Sequence, residues 1–150
     1  MGTLSESVKG TVDGGPQVVE LTIPAKAEYI TLCRLALAGL SSLRGLPEET
    51  VADLKLALTE ACSNSVRHAY EDGQPDDVVD IRYELHSDRV VIEVADEGSG
   101  FVPPDSRASE ELSESGLGIA IIRALADELE LGERTDGRGS RLRMVKLLDA

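Results

Sequence analysis

Leu58-Thr59-Glu60-Ala61-Cys62-Ser63-Asn64-Ser65-Val66-Arg67-His68-Ala69-Tyr70 sets a carboxylate and a carboxamide four residues apart in a run rich in Leu, Ala, Val and Cys. On a helix that spacing points Glu60 and Asn64 the same way. A carboxylate that can take a proton, beside an amide oxygen that can ligate Mg²⁺, is what chemistry on a nucleotide phosphate needs. Read alone, the pair is equally explained by a helix whose polar stripe faces water. The glycines downstream decide between the two.

The segments around this run fix the architecture. Pro47, followed by Glu48 and Glu49, opens the helix that carries the pair, which extends to about Ala69. Upstream, Val18–Ile23 alternates and is rich in branched residues, so it reads as a strand stopped by Pro24. From Ala27 to about Leu43, Ile30, Leu32, Cys33, Leu35, Leu37, Ala38 and Leu40 read as a helix ended by Gly45. Downstream, Asp72-Gly73 turns the chain into two strands, Val78–Leu85 and Arg89–Ala95, with His86-Ser87-Asp88 as a hairpin. Residues 98–116 lack periodicity and hold glycines, prolines, serines and acids, a long loop of the kind that is usually functional. Gly118 to Leu129 returns to helical spacing. Strands at about 129–135 and 140–148 then close the chain around Asp136-Gly137-Arg138-Gly139. The order β-α-α-β-β-loop-α-β-β predicts an α/β (α+β) fold, a two-layer sandwich with helices on one face of a mostly antiparallel mixed sheet. One domain is expected over residues 17–150, preceded by a flexible segment 1–16.

Bulk properties bound the function. The 150 residues are 41% hydrophobic but only 3% aromatic, so an aliphatic core is expected. A formal charge of −13 argues against direct binding to nucleic acid and suits a protein that meets basic or mixed-charge protein partners. Nucleotide binding stays open, because backbone N–H groups and Mg²⁺ supply a local positive field. No stretch approaches the ~20 apolar residues of a membrane span, and residues 1–16 carry no signal-peptide pattern. Cys33 and Cys62 lie in predicted helices without metal-ligand spacing, which points to buried, reduced thiols in a cytoplasmic protein.

Three further motifs carry chemistry. Asp96-Glu97-Gly98-Ser99-Gly100-Phe101 follows a strand directly. Its acid can accept a hydrogen bond from an exocyclic amine such as adenine's, and its glycines let backbone approach a ligand. A tight glycine-rich turn is the plain alternative. Ser115-Gly116-Leu117-Gly118 precedes a helix near Ile119, where free N–H groups and the positive dipole end suit phosphates; a simple entry turn is the alternative. Gly139-Ser140 enters the last strand, and its hydroxyl could reach the base or belong to a plain turn. Neither the Walker lysine motif nor the dinucleotide fingerprint is present.

In this order and spacing the motifs resemble the GHKL (Bergerat) ATP-binding fold. Within it the chain from about Val18 to Leu148 is similar to the anti-sigma-factor serine-protein kinases of the RsbW/SpoIIAB type. The likeness runs through Ile23-Pro24-Ala25-Lys26, Leu56–Asn64, His68-Ala69-Tyr70, Ala95-Asp96-Glu97-Gly98, Gly116-Leu117-Gly118 and Met144–Leu148. The resemblance implies a bacterial, cytoplasmic homodimer that sequesters an alternative sigma factor. It also implies ATP- and Mg²⁺-dependent phosphorylation of a serine on an antagonist with a STAS domain. Carried over, Glu60 is the general base and Asn64 the Mg²⁺ ligand. Asp96 holds the adenine amine, Gly98, Gly100 and Ser140 shape that side, and Gly116, Leu117 and Gly118 meet the phosphates. Residues about 101–117 form the ATP lid, whose single cation among several acids is Arg107. Arg34 on the first helix corresponds to a sigma-factor surface, against the plain alternative of an exposed arginine. His68 reads as a packing or capping residue and Arg67 as a solvated one. Three other functions compete: a nucleotide-binding anti-sigma module without kinase activity, a switch kinase for STAS proteins of a signalling complex, and a GHKL ATPase or histidine-kinase catalytic part. Glu60 favours a kinase over the first, and the chain's length argues against the last.

Overall fold

The computed structural model describes residues 8–10, 16–72, 77–96, 114–133 and 139–148, and for 8–10, 68–72 and 114–116 it describes the backbone alone. The strands are β1 (Val8–Gly10), β2 (Gln17–Pro24), β3 (Val78–Leu85), β4 (Arg89–Asp96), β5 (Glu128–Glu133) and β6 (Ser140–Leu147). The helices are α1 (Ile30–Arg44), α2 (Glu48–Asp72) and α3 (Glu114–Leu125), with a 3-10 turn, Ala27–Tyr29, leading into α1. The strands form one sheet in the order β1-β2-β3-β4-β6-β5. Every pairing among the described residues is antiparallel.

Period-two alternation decides which side of the sheet is covered. Val79, Ile81, Tyr83 and Leu85 of β3 share the buried face with Val90, Ile92 and Val94 of β4 and Leu142 and Met144 of β6. From the helices Cys33, Leu37, Leu54, Ala57, Leu58, Ala61, Cys62, Ile119 and Ile122 close onto them, so all three helices contribute to one core. That core is aliphatic with one exception: Tyr83 is fully buried, and its hydroxyl donates to the Cys33 carbonyl at 2.8 Å, tying β3 to α1. Cys33 and Cys62 are both free and buried. Their mutual hydrogen bond and burial push the Cys62 thiol well up, which keeps it protonated and inert.

Local chemistry sets the ends of the elements. Gly45 adopts the left-handed conformation (φ 66°) that ends α1, and the N–H groups of Gly45 and Leu46 close onto the Ser42 and Ser41 carbonyls. Arg44 in the last turn donates to the Leu85 and His86 carbonyls at 3.0 and 3.1 Å, fastening α1 to the β3–β4 hairpin.

Three boundaries differ from the sequence reading. Val8–Gly10 forms an edge strand on β2, with Val8 opposite Leu21, inside the stretch read as flexible; its glycines and serines masked a three-residue strand. α3 begins at Glu114, so Gly116-Leu117-Gly118 lie inside its first turns rather than ahead of it. It also stops at Leu125, because Leu129 and Leu131 alternate with acids and pair with Met144 and Leu142 in the sheet. The hairpin, both long helices and the closing strands fall where the sequence put them, within a few residues.

Candidate functional site

α2 lies on the sheet through Leu54, Leu58, Ala61 and Ser65, which leaves Glu60 and Asn64 about a quarter-turn away, on the flank toward α3. There α3 comes very close. A Cβ built on Gly118 would stand 2.9 Å from Glu60 Oε1, 3.4 Å from Asn64 Nδ2 and 3.6 Å from Asn64 Oδ1. Glycine lets the α3 backbone sit over both side chains with the Glu60 carboxylate in place, which a Cβ there would push aside. The polar pair therefore faces a neighbouring helix start, not bulk water. Asn64 is 1% exposed, and its Nδ2 has no hydrogen-bond partner. An unsatisfied buried donor costs about 1–3 kcal/mol, so this amide is suited to a ligand oxygen.

The other acceptor of the site follows from strand parity. Val90, Ile92 and Val94 point into the core, and Asp96 is the next residue inward, 1% exposed at the strand's end. Ser140 is its direct partner across β4 and β6 and is also buried. An acid and a hydroxyl thus stand side by side where the apolar face of the sheet ends. Gly116 lies in the first turn of α3, where N–H groups lack intrahelical partners. Leu117 is 58% exposed, so whatever it contributes does not come from a packed side chain. Gly98, Gly100, Arg107 and nearly all of the expected lid lie outside the described residues, as does the His68 side chain. Arg34 stands exposed on α1, away from the α2–α3 contact.

Arg67 was read as solvated, and the structure corrects this. It is half-buried, and its Nη1 donates to Asn64 Oδ1 at 2.9 Å. The signal was available: three residues beyond Asn64 is the neighbouring position on a helix face. A guanidinium thus stands beside the acid–amide pair, in a chain whose only lid cation is Arg107.

This geometry fits a nucleotide-phosphate site, and the comparisons agree. A family model described as a histidine kinase-like ATPase domain matches residues 23–146. The serine-protein kinase RsbW of Bacillus pumilus is 38% identical over 144 residues, 88% of this chain and 86% of that protein. That of Halalkalibacterium halodurans is 34% identical over 143 residues, 89% and 85% of the two chains. The chain belongs to the RsbW family of histidine kinase-like ATPases. Among solved structures, one of the SiaB–SiaC complex from Pseudomonas aeruginosa matches with a TM-score of 0.61 at 18% identity, covering 84% of this chain and 88% of that one. The histidine kinase domain of a blue-light activated kinase from Erythrobacter litoralis matches at 0.56 and 24% identity, covering 84% and 62%. Both likenesses are of fold. Membership of the RsbW family makes ATP the nucleotide used. Among the described residues there is no cluster of His, Cys, Asp and Glu able to hold a metal unaided, and no helix is long and apolar enough to cross a membrane.

Proposed function

We propose that this chain is an ATP-dependent protein-serine kinase that also acts as an anti-sigma factor, phosphorylating a serine of a STAS-domain antagonist. The observation that carries the reading is the convergence of Glu60, Asn64 and Gly118, where a Cβ on the glycine would stand 2.9 Å from Glu60 Oε1 and 3.4 Å from Asn64 Nδ2. A non-catalytic nucleotide site has no use for a carboxylate there. Glu60 takes the proton of the attacking serine hydroxyl as its oxygen bonds to the γ-phosphorus, while the bond from that phosphorus to the β–γ bridging oxygen breaks and ADP leaves with the oxygen. Asp96 and Ser140 hold the adenine side, with Gly98 and Gly100 shaping it. Gly116, Leu117 and Gly118 approach the phosphates with backbone. Mg²⁺, a hard cation that keeps water and phosphate oxygens, would be held from the protein by Asn64 Oδ1, through the lone pair left beside its hydrogen bond from Arg67. When bound, that ion neutralises charge on the phosphates. The protein's own contribution is alignment of hydroxyl and phosphate, with Arg67 orienting the amide.

Partner binding rests on the named relatives and on α1. That helix exposes Leu32, Leu35 and Leu43 at 38, 62 and 78%, beside Arg34. Exposed leucines around a cation on one helix suit a protein partner, and the sigma factor is assigned to this surface. A cytoplasmic homodimer completes the reading.

The test is transfer from Mg-ATP to the cognate STAS antagonist, read as phosphoserine. Glu60→Gln is expected to slow transfer by about 10²–10⁴-fold while ATP still binds. Undiminished transfer would remove Glu60 as base, and absence of transfer in the unaltered chain would leave the non-catalytic anti-sigma module.

A further inference from the structure

Ser65 carries a hydroxyl that the fold itself leaves unused. It is fully buried in α2, next to Asn64, and its Oγ has no hydrogen-bond partner among the described residues. A serine or threonine inside a helix ordinarily returns its hydroxyl to the carbonyl four residues earlier. Thr59 does so in the same helix, donating to the Lys55 carbonyl at 2.7 Å. Ser65 does not, and a buried hydroxyl without a partner calls for a ligand.

Two fixed points show where Ser65 stands. Lys146 Nζ lies 3.6 Å from Asp53, and Lys146 is the partner of Val90, so the start of α2 lies over the Val90 end of β4. The rise from Asp53 to Ser65 is ~18 Å. That from Val90 to Asp96 is ~20 Å, which brings Ser65 level with Asp96 and with Ser140 opposite it. The second point is independent of the first. Ser63 and Val66 share a cavity with Ala25 and Lys26, just past the end of β2, and the row of the sheet there runs from Ile23 through Val79 to Asp96. With Leu54, Leu58 and Ala61, Ser65 belongs to the stripe of α2 that faces the sheet, so its hydroxyl is directed at these strand ends. Ser41 Oγ is also without a partner, but it sits in the last turn of α1, where Arg44 fastens that helix to the hairpin at the other end of the sheet.

Adenine has a use for such a donor. Its edge sets the exocyclic amine, which donates, beside N1, which accepts. A carboxylate takes the amine proton but offers N1 nothing, whereas a hydroxyl can donate to N1. Guanine carries a carbonyl oxygen in place of that amine, which an acid repels. We propose that Ser65 is a specificity-determining residue of the nucleotide site: its hydroxyl donates to adenine N1, directly or through one trapped water, while Asp96 takes the amine. This deepens the ATP-site reading and rests on it for placing the base at Asp96 and Ser140. Successive helix residues point about 100° apart, so α2 serves both ends of the nucleotide, Asn64 turned toward α3 and Ser65 toward the base.

The probe is 1-deaza-ATP, in which C–H replaces N1 and the amine is kept. In calorimetric titration the unaltered full chain is expected to bind it about tenfold more weakly than ATP. Ser65→Ala deletes one oxygen and should bind ATP about fivefold more weakly, yet hold the two nucleotides within about twofold of each other. Its unfolding midpoint should stay level or rise, since the variant buries no orphan hydroxyl. Equal affinity of the unaltered chain for both nucleotides overturns the proposal without any variant, as does a tenfold preference for ATP that survives in Ser65→Ala. Asp96→Asn separates this failure from that of the adenine placement. Weaker ATP binding by Asp96→Asn, with Ser65→Ala binding as the parent does, removes Ser65 alone. Unchanged ATP binding by both variants moves the base away from this end of the sheet, and the proposal falls with that placement.

Discussion

The two faces of the sheet are made by the same strands and solve opposite problems. The inner face is aliphatic under three helices. On the outer face, register lines up Glu20, Arg82, Glu93, Arg143 and Glu130 on five neighbouring strands, so the sign alternates at every step. Arg82 pairs with Glu20 at 3.2 Å and with Glu84 at 2.8 Å, while Glu93 takes Arg141 at 3.2 Å and Arg143 at 3.5 Å. The aliphatic stems of such side chains shield the paired Val91 and Val145, which are buried although they face outward. Polar residues on the outer face thus answer one another. Polar residues of inward register stand at the strand ends: Asp96 and Ser140 at the end proposed for the nucleotide, and Lys146 at the other, where it meets Asp53 at 3.6 Å and donates to the Leu125 carbonyl at 2.9 Å.

The largest effect on stability should come from the inner face. Ile92 is fully buried at the centre of β4, opposite Tyr83 and Met144. Ile92→Ala is expected to cost about 2–5 kcal/mol in chemical unfolding, through lost transfer energy and the cavity left behind. A loss below about 1 kcal/mol would mean that the sheet centre is not where the core is held.

Asp96 tests the exception on that face. A carboxylate at 1% exposure carries a desolvation cost, and the isosteric amide keeps the side chain's shape and one acceptor oxygen while removing the charge. Asp96→Asn is expected to leave the unfolding midpoint level or slightly raised. It should weaken ATP binding by about tenfold to a hundredfold, the worth of a charge-assisted hydrogen bond of ~1.5–3 kcal/mol. Calorimetric titration with ATP alongside a melt separates the two. A large drop in melting temperature with affinity intact would return Asp96 to a structural role.

Much of this contrast was legible in the sequence. Alternation in Val78–Leu85 and Arg89–Asp96 gave the strands, and the same alternation carries Asp96 inward. The i, i+4 spacing gave the Glu60–Asn64 face. Other features depend on contacts between segments distant in sequence. Nothing local to Gly118 shows that it seats on Glu60, fifty-eight positions away, and helix propensity placed α3 too late because glycine disfavours helix until packing requires it. Arg67 is an ordinary helix-surface residue until Asn64 is buried beside it. The outer charge row is invisible until register aligns residues scattered from 20 to 143.

The smallest effect should come from that outer row. Glu84 accepts from Arg82 at 2.8 Å and meets His86 at 3.0 Å. Partial burial pushes its carboxyl up, but the hydrogen bonds and charges of Arg82 and His86 outweigh this and hold it below the usual carboxylate range. A group with a lowered folded-state pKa stabilises the fold fully above its ordinary value, about 4.3, and loses that contribution as pH falls through the lowered one. Glu84→Gln should therefore cost no more than about 1 kcal/mol at neutral pH, less in ~1 M salt, with ATP affinity unchanged. The stability gap between variant and parent should close on acidification below pH ~4, because the parent's carboxyl is then neutral too. A gap that persists in acid would show that Glu84 acts through packing. The outer face would then hold the sheet together by shape as well as by charge, and the contrast between the two faces would narrow.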